Sequence, residues 1–272
     1  MKIALVQMRS SRDPARNVPE AEALVREAAA TGATYVQTPE VSNIFEPDKD
    51  RLRAIVKSEG EDALVQRFAA LARELRIHLH VGSVAVKAGD GRIANRSLVF
   101  GPDGRIAARY DKIHLFDIDL PNGESYRESA TYAPGDTAVT VDVQTARLGL
   151  CICYDVRFPR LANAYANAGA TVLTYPAAFT VPTGEAHWHV LLRARAIETG
   201  SFVLTAAQGG EHDGGKATYG HSLAISPWGE ILAEAGTEPC VVTAEIDPAQ
   251  SVLARQRIPA LRNARDFGLK SP

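Results

Sequence analysis

The chain has 272 residues, 46% of them hydrophobic and 23% charged, so it can build a core and is not a disordered chain. Thirty Lys and Arg against 32 Asp and Glu leave a net charge of -2, without the basic cluster of a general nucleic-acid or membrane-surface binder. Three cysteines, Cys151, Cys153 and Cys240, are an odd and sparse set, which argues against a disulfide framework and for a reducing, cytoplasmic setting.

Met1 to Gln7 lacks the long apolar run and cleavage pattern of a signal peptide, and Ile3 to Gln7 reads as a buried strand. A helix is expected from Asn17, as N-cap, to Ala30, with Ala21, Leu24, Val25 and Ala28 on one face. Gly32 ends it, and Tyr35 to Thr38 is a strand. Ser58-Glu59-Gly60-Glu61 has the form of a capping box ahead of the apolar stripe Leu64, Phe68, Leu71, Leu75. Ile77 to Val86 returns as a strand. The longest charge-free stretch, Leu161 to Gly184, is long enough to span a bilayer. Asn163, Asn167, Gly169, Pro176 and Pro182 break it into helix, strand and loop instead. No low-complexity linker divides the chain, so residues 1–272 read as one domain of α/β class.

A pseudo-repeat runs through it. Gly32-Ala33-Thr34 precedes Pro39, and Gly169-Ala170-Thr171 precedes Pro176, at the same offset. Ser97-Leu98, Pro102, Gly104 and Ile106 match Ser222-Leu223, Pro227, Gly229 and Ile231, each around a hairpin turn. Two such halves predict two packed sheets with helices outside, in α-β-β-α layers.

Three residues stand out chemically. The apolar run from Arg147 ends at Cys153, and Pro159 suits the first turn of a helix running to about Ala168. Cys153 therefore sits at a strand-to-helix junction, where a helix dipole would favour a thiolate nucleophile. A small buried core residue is the equal alternative. Cys151 reads as core, and a Cys151–Cys153–Cys240 metal site lacks a fourth ligand. Glu40 follows a strand and a proline, where open α/β sheets place ligands, although most glutamates are simply solvated. Lys112 lies between a strand and the Asp117 to Pro121 segment. It is either another solvated lysine or the fixed ammonium that an amide's developing oxyanion needs.

Thr38-Pro-Glu40, Tyr110-Asp-Lys112-Ile-His-Leu and Ile152-Cys-Tyr-Asp-Val-Arg-Phe-Pro159 occur in an order that resembles the nitrilase superfamily of carbon–nitrogen hydrolases, nearly end to end. The resemblance implies an α-β-β-α sandwich, with Glu40 as general base, Lys112 as oxyanion stabiliser and Cys153 as nucleophile. Arg127-Glu128-Ser129 before Tyr132-Ala-Pro-Gly135 resembles the family's further glutamate, so Glu128 takes that role. Thr38 departs from the leucine usual before Pro-Glu. Thr183 to Trp188, Leu192 to Glu198 and Tyr219 to Ser222 resemble the small-amidase branch. Leu192–Glu198 and Ala206–Gln208 lean toward its deaminated-glutathione amidases, and Lys112–Asp119 toward its omega-amidases. The expected function is thus hydrolysis of a small carboxylate-bearing amide through a Cys thioester, on deaminated glutathione in the first instance. An omega-amidase, or a nitrilase or N-carbamoyl hydrolase, is the alternative.

No metal or organic cofactor is required by this chemistry. Tyr154 is expected to lend a backbone N–H. Arg157 is expected either to meet the substrate carboxylate or to pair with a local acid at the helix start, and Phe179 and Trp188 either to line the pocket or to pack in the core. Gly220-His221-Ser222 resembles a serine-hydrolase elbow, but no histidine follows Ser222. His78-x-His80 and His187-x-His189 lack the partner pattern of a metal hydrolase. A non-catalytic scaffold would have lost one of the three key residues, and none is lost. The segment Ser251 to Pro272, with Arg255, Arg257, Arg262 and Arg265 among Ile258, Leu261 and Phe267, reads as a docking tail in a homodimer or larger assembly, or as a solvated tail. The loop Gln208 to Thr218 carries four glycines, as a mobile lid would.

Overall fold

The computed structural model describes residues 1–120 and 123–270, so Pro121 and the last two residues of the tail lie outside it. The first half runs β1 (Lys2–Gln7), α1 (Pro14–Ala30), β2 (Tyr35–Gln37), α2 (Lys49–Ile55), α3 (Ala63–Leu75), β3 (His78–Lys87), β4 (Ile93–Phe100) and β5 (Ile106–Asp111). Short strands β6 (Asp117–Asp119), β7 (Ser125–Arg127), β8 (Tyr132–Ala133) and β9 (Thr140–Val143) lead to the second half. That half runs β10 (Ala146–Leu150), α4 (Pro159–Asn167), β11 (Val172–Thr174), α5 (Val181–Thr199), β12 (Phe202–Thr205), β13 (Gly209–Glu211), β14 (Ala217–Tyr219), β15 (Leu223–Ile225) and β16 (Ile231–Glu234). The chain closes with β17 (Cys240–Glu245), α6 (Ala249–Arg257) and α7 (Ala260–Asn263).

The repeat read from the turns is a repeat of topology. Strands β1, β2 and β3 are parallel neighbours, and β4 and β5 follow antiparallel. Strands β10, β11 and β12 are parallel neighbours, and β15 and β16 follow antiparallel. An antiparallel strand from elsewhere flanks each set, β17 beside β1 and β9 beside β10. The hairpin turns sit at matching places, with Gly104 at φ +78° and Gly229 at φ +84°, a region where a Cβ is costly.

Alternation along β1 builds the layers. Ala4 and Val6 share a core with Val25 and Ala28 of α1 and Phe68 and Leu71 of α3. Ile3 and Leu5 point the other way, into a core shared with Leu148, Leu173 and Val203 of the second sheet. Helices α4 and α5 contact β10 and β12 of that sheet. The four expected α-β-β-α layers are therefore present.

Two helix starts differ from the sequence expectation. Asp13 caps α1, with Pro14 in its first turn. Asn17 lies inside the helix and buried, bonded to Ser11 and to the carbonyl of Asn43. It serves tertiary structure, which outweighs its preference for a cap. The Ser58–Glu61 box closes a single 3₁₀ turn, and Asp62 caps α3 through the amides of Leu64 and Val65 at 3.0 and 3.1 Å.

The charge-free stretch from Leu161 divides among α4, β11 and the start of α5. Among the described residues no helix is long and apolar enough to cross a membrane. The glycine-rich loop is the β13–β14 hairpin. His212 pins it by stacking on Phe45 at 3.9 Å and bonding to the carbonyl of Ser10 and the hydroxyl of Thr218, so its base is not a free lid. The tail likewise is held over its first part. Ser251 donates to the carbonyl of Thr171, and Arg255 donates to the carbonyls of Thr199 and Ala170.

Candidate active site

Glu40 follows the carboxyl end of β2, held at a tight bend. Val41 has φ +50°, a costly conformation for a β-branched residue. Ser83 clamps the bend, accepting from Val41 N at 2.8 Å and from Ser42 N at 2.9 Å. The buried amide of Gln208 donates to the Glu40 carbonyl at 3.0 Å. The Glu40 carboxylate then accepts from Asn95 Nδ2 at 2.8 Å, Lys112 Nζ at 2.9 Å and the amide of Ala178 at 2.8 Å. It is fixed from three sides.

Cys153 lies at a second strained bend, φ +46°, three residues beyond β10. Its amide donates to the Pro176 carbonyl at 2.9 Å. The buried Asp155 ties the bend down, accepting from Ile152 N at 2.8 Å and Tyr110 Oη at 2.7 Å. Since Tyr110 lies on β5 and Lys112 just past its end, two residues on, Asp155 links the thiol's turn to the segment that carries the ammonium. Tyr110 and Asp155 stand inside the motifs quoted above, yet their types alone do not announce that link.

The junction differs from the expectation in one respect. A 3₁₀ segment, Cys153–Arg157, follows β10, and α4 begins only at Pro159. No α-helix dipole favours a thiolate. Burial pushes the Cys153 thiol well up, the nearby Glu40 carboxylate adds to this, and Lys112 only partly offsets them. Each of the two larger influences favours the protonated thiol until a base takes its proton.

Lys112 is 2% exposed. Burial alone would lower its pKa, but the charges of Glu128 and Glu40 win and hold it well above the ordinary lysine value. Its Nζ reaches Glu128 at 2.9 and 3.1 Å, opposite Glu40. Glu128 is itself fixed by the Phe116 amide at 2.6 Å. Asn95, within β4, donates to both carboxylates, to Glu128 at 3.3 Å. It was not legible beforehand, because an Asn among Ile93, Ala94 and Ser97 resembles any inward strand residue.

Glu40, Lys112, Glu128 and Cys153 share the wall of a cleft of about 360 Å³. Phe179 lines it too. Trp188 does not. It is fully buried behind Phe179, 4.8 Å between ring centres, with Nε1 donating to the His221 carbonyl. Nor does Arg157 reach the wall. Its guanidinium lies over the rings of Tyr154 and Phe179, with Nη2 3.3 Å from His187. The cations that do line the cleft beyond Lys112 are Lys49, Arg127 and Lys216, all missed from sequence because lone surface-type cations carry no spacing signal. Lys216 reaches the cleft on the β13–β14 hairpin, with Nζ 3.3 Å from Glu124 and 5.3 Å from the Tyr126 ring centre.

The histidine pairs do not form a hydrolytic metal centre. His80 is buried between Tyr35 Oη and Ser97 Oγ, each at 2.7 Å, and burial lowers its pKa to about 3. His187 lies against Arg157, and His189 bonds elsewhere, to Glu234.

Two duplicated sheets closing over a thiol, two carboxylates and a buried ammonium are the frame of an enzyme that hydrolyses carbon–nitrogen bonds other than peptide bonds. The chain belongs to the carbon–nitrogen hydrolase family, whose model matches residues 2–256. It is 41% identical over 264 residues to the omega-amidase NIT2 of Homo sapiens, covering 97% of this chain and 95% of that protein. Its fold matches the NitFhit protein of C. elegans with a TM-score of 0.91 at 35% identity, over 97% of this chain and 65% of that longer one. It also matches an amidase from Nesterenkonia sp. AN1, TM-score 0.82 at 27% identity, over 97% of this chain and 94% of that one. That amidase was solved with the acetamide moiety of fluoroacetamide covalently added at its active-site cysteine. The human relative is an omega-amidase, so the preference for the deaminated-glutathione branch gives way to the alternative.

Proposed function

We propose that this protein is an omega-amidase, releasing ammonia from the terminal amide of a small α-keto acid. The observation that carries the chemistry is the Lys112 ammonium, held 2.9 Å from Glu40 on the same cleft wall as the Cys153 thiol. Cys153 Sγ bonds to the amide carbonyl carbon while its proton passes to Glu40. Lys112, with the backbone N–H of Tyr154, stabilises the oxyanion. Glu40 gives the proton to the departing nitrogen, ammonia leaves, and a thioester remains. Glu40 then takes a proton from water, the hydroxide adds to the thioester, and the acid departs as the thiol re-forms. Glu128 holds Lys112 on line.

The substrate class rests on the cleft's other cations. Lys49, Arg127 and Lys216 favour an amide whose other end is a carboxylate. The omega-amidase name of the human relative supports the same choice. The chain acts as a single catalytic unit in the cytoplasm. The exposed Leu253, Ile258 and Phe267 of its C-terminal segment support a homodimer or larger assembly, which sedimentation would measure.

The test is ammonia release from α-ketoglutaramate and from deaminated glutathione, side by side, with Cys153→Ala as blank. A preference for α-ketoglutaramate is expected. A preference for deaminated glutathione would overturn the substrate assignment and keep the chemistry. Near-normal activity in Cys153→Ala would overturn the chemistry.

A further inference from the structure

Outside the cleft, among the described residues, one group of three metal-ligating side chains comes together. His189 of α5, His221 before β15 and Glu234 at the end of β16 bring one donor atom each within 4.8 Å of one another. None of the three lines the cleft. Glu234 Oε1 accepts from His189 Nε2 at 2.9 Å and from His221 Nδ1 at 2.9 Å. Each imidazole therefore aims a ring nitrogen at one carboxylate oxygen, from two different elements.

We propose that His189, His221 and Glu234 form a binding site for a divalent transition metal of the zinc class. Two imidazoles and a carboxylate are a borderline donor set of the kind such ions take. Tetrahedral coordination at ordinary zinc distances needs donors about 3.3 Å apart. The two His–Glu spacings of 2.9 Å are a few tenths of an ångström short of this, and the two ring nitrogens, within 4.8 Å of each other, close by up to roughly 1.5 Å as an ion enters. A bound ion takes the ring nitrogen that faces Glu234 and leaves the proton of each imidazole on its other nitrogen. Three protein ligands leave a fourth position for water.

The ligands are held before any ion arrives. His221 adopts φ +53°, a conformation that costs free energy for a residue with a side chain. Its backbone is fixed at both ends, the amide donating to the Gly236 carbonyl at 2.8 Å and the carbonyl accepting from Trp188 Nε1 at 2.9 Å. Tyr219 stacks on its ring at 4.4 Å and meets the His189 ring edge-on at 6.1 Å. A partly exposed His–Glu pair by itself adds little stability, so structural support alone explains neither this bend nor the convergence of two rings.

The full-length protein is titrated with Co²⁺ alone and followed by visible absorption, then displaced by Zn²⁺. One equivalent is expected, with the bands of a four-coordinate nitrogen and oxygen site and no sulfur-to-metal charge transfer. His189→Gln and Glu234→Gln are each expected to weaken binding more than about tenfold while amide hydrolysis continues, which confirms that they fold. His78→Gln, on β3, is expected to bind as the parent does. Equal binding in the two ligand variants, a sulfur charge-transfer band from Cys153 or Cys240, or no saturable binding would overturn the proposal.

Discussion

Gly82→Ala tests whether the two strained bends share one support. Gly82 lies in β3, where its pairing with β4 shifts register. A Cβ placed there would lie 2.1 Å from the Thr38 carbonyl oxygen, 2.6 Å from that of Pro39 and 2.4 Å from Pro176 Cβ. Ordinary contacts are about 3.5 Å, so each neighbour must retreat by roughly 1 Å. None is the free end of a flexible side chain. Thr38 and Pro39 aim Glu40, and the Pro176 carbonyl holds the Cys153 amide. One methyl group therefore drives the carboxylate and the thiol apart. Overpacking of this kind costs about 1–3 kcal/mol of stability. A misplacement of about 1 Å costs on the order of 100-fold in rate. Initial rates of ammonia release at saturating amide, with a thermal melt on the same samples, read both effects. Gly89→Ala, where a Cβ meets nothing within 4 Å, is the control and should behave as the parent. If Gly82→Ala kept kcat within about twofold, the shared-support reasoning would be wrong, because roughly 0.4 kcal/mol cannot represent such a displacement.

Glu128→Gln keeps the shape beside Lys112 and removes its charge. The expected result is a fall in kcat on the order of 100-fold with little change in KM, measured by steady-state ammonia release. Lys216→Ala should raise KM for a keto-acid amide about tenfold and leave a neutral amide unaffected, a split that initial-rate curves resolve. Buried His80 stays neutral in the folded state down to about pH 3, whereas the unfolded chain takes up a proton near pH 6.5. Its contribution is therefore complete above about pH 6.5 and is lost toward pH 3, at roughly 1.4 kcal/mol per pH unit. Urea melts across that range should show the loss, and His80→Gln should flatten it.

Much of the architecture was legible because turns repeat. The Pro-Gly hairpins and the Gly-to-Pro offsets mark where each half changes direction, and the two-sheet layering follows from the repeat, whereas the strand order within each sheet does not. Helix starts were less legible, since Asp13 and Asp62 compete with Asn17 and Ser58 for the same role and only tertiary contacts decide. Glu40, Lys112, Cys153 and Glu128 gained their assignments from motif order, and the structure brings them to one wall. Arg157 and Trp188 stop short of that wall because each packs on the ring of Phe179, which is itself the lining residue. Asn95 and Asp155 were silent because a buried amide or carboxylate is recognised only by what it touches.

The duplicated halves divide the reactive set unequally. Glu40, Asn95 and Lys112 belong to the first half, and Cys153 to the second. The first half brings the base and the ammonium without a nucleophile, and the second brings the thiol without its base. Neither attacks an amide. Reactivity is thus a property of the joint between the sheets.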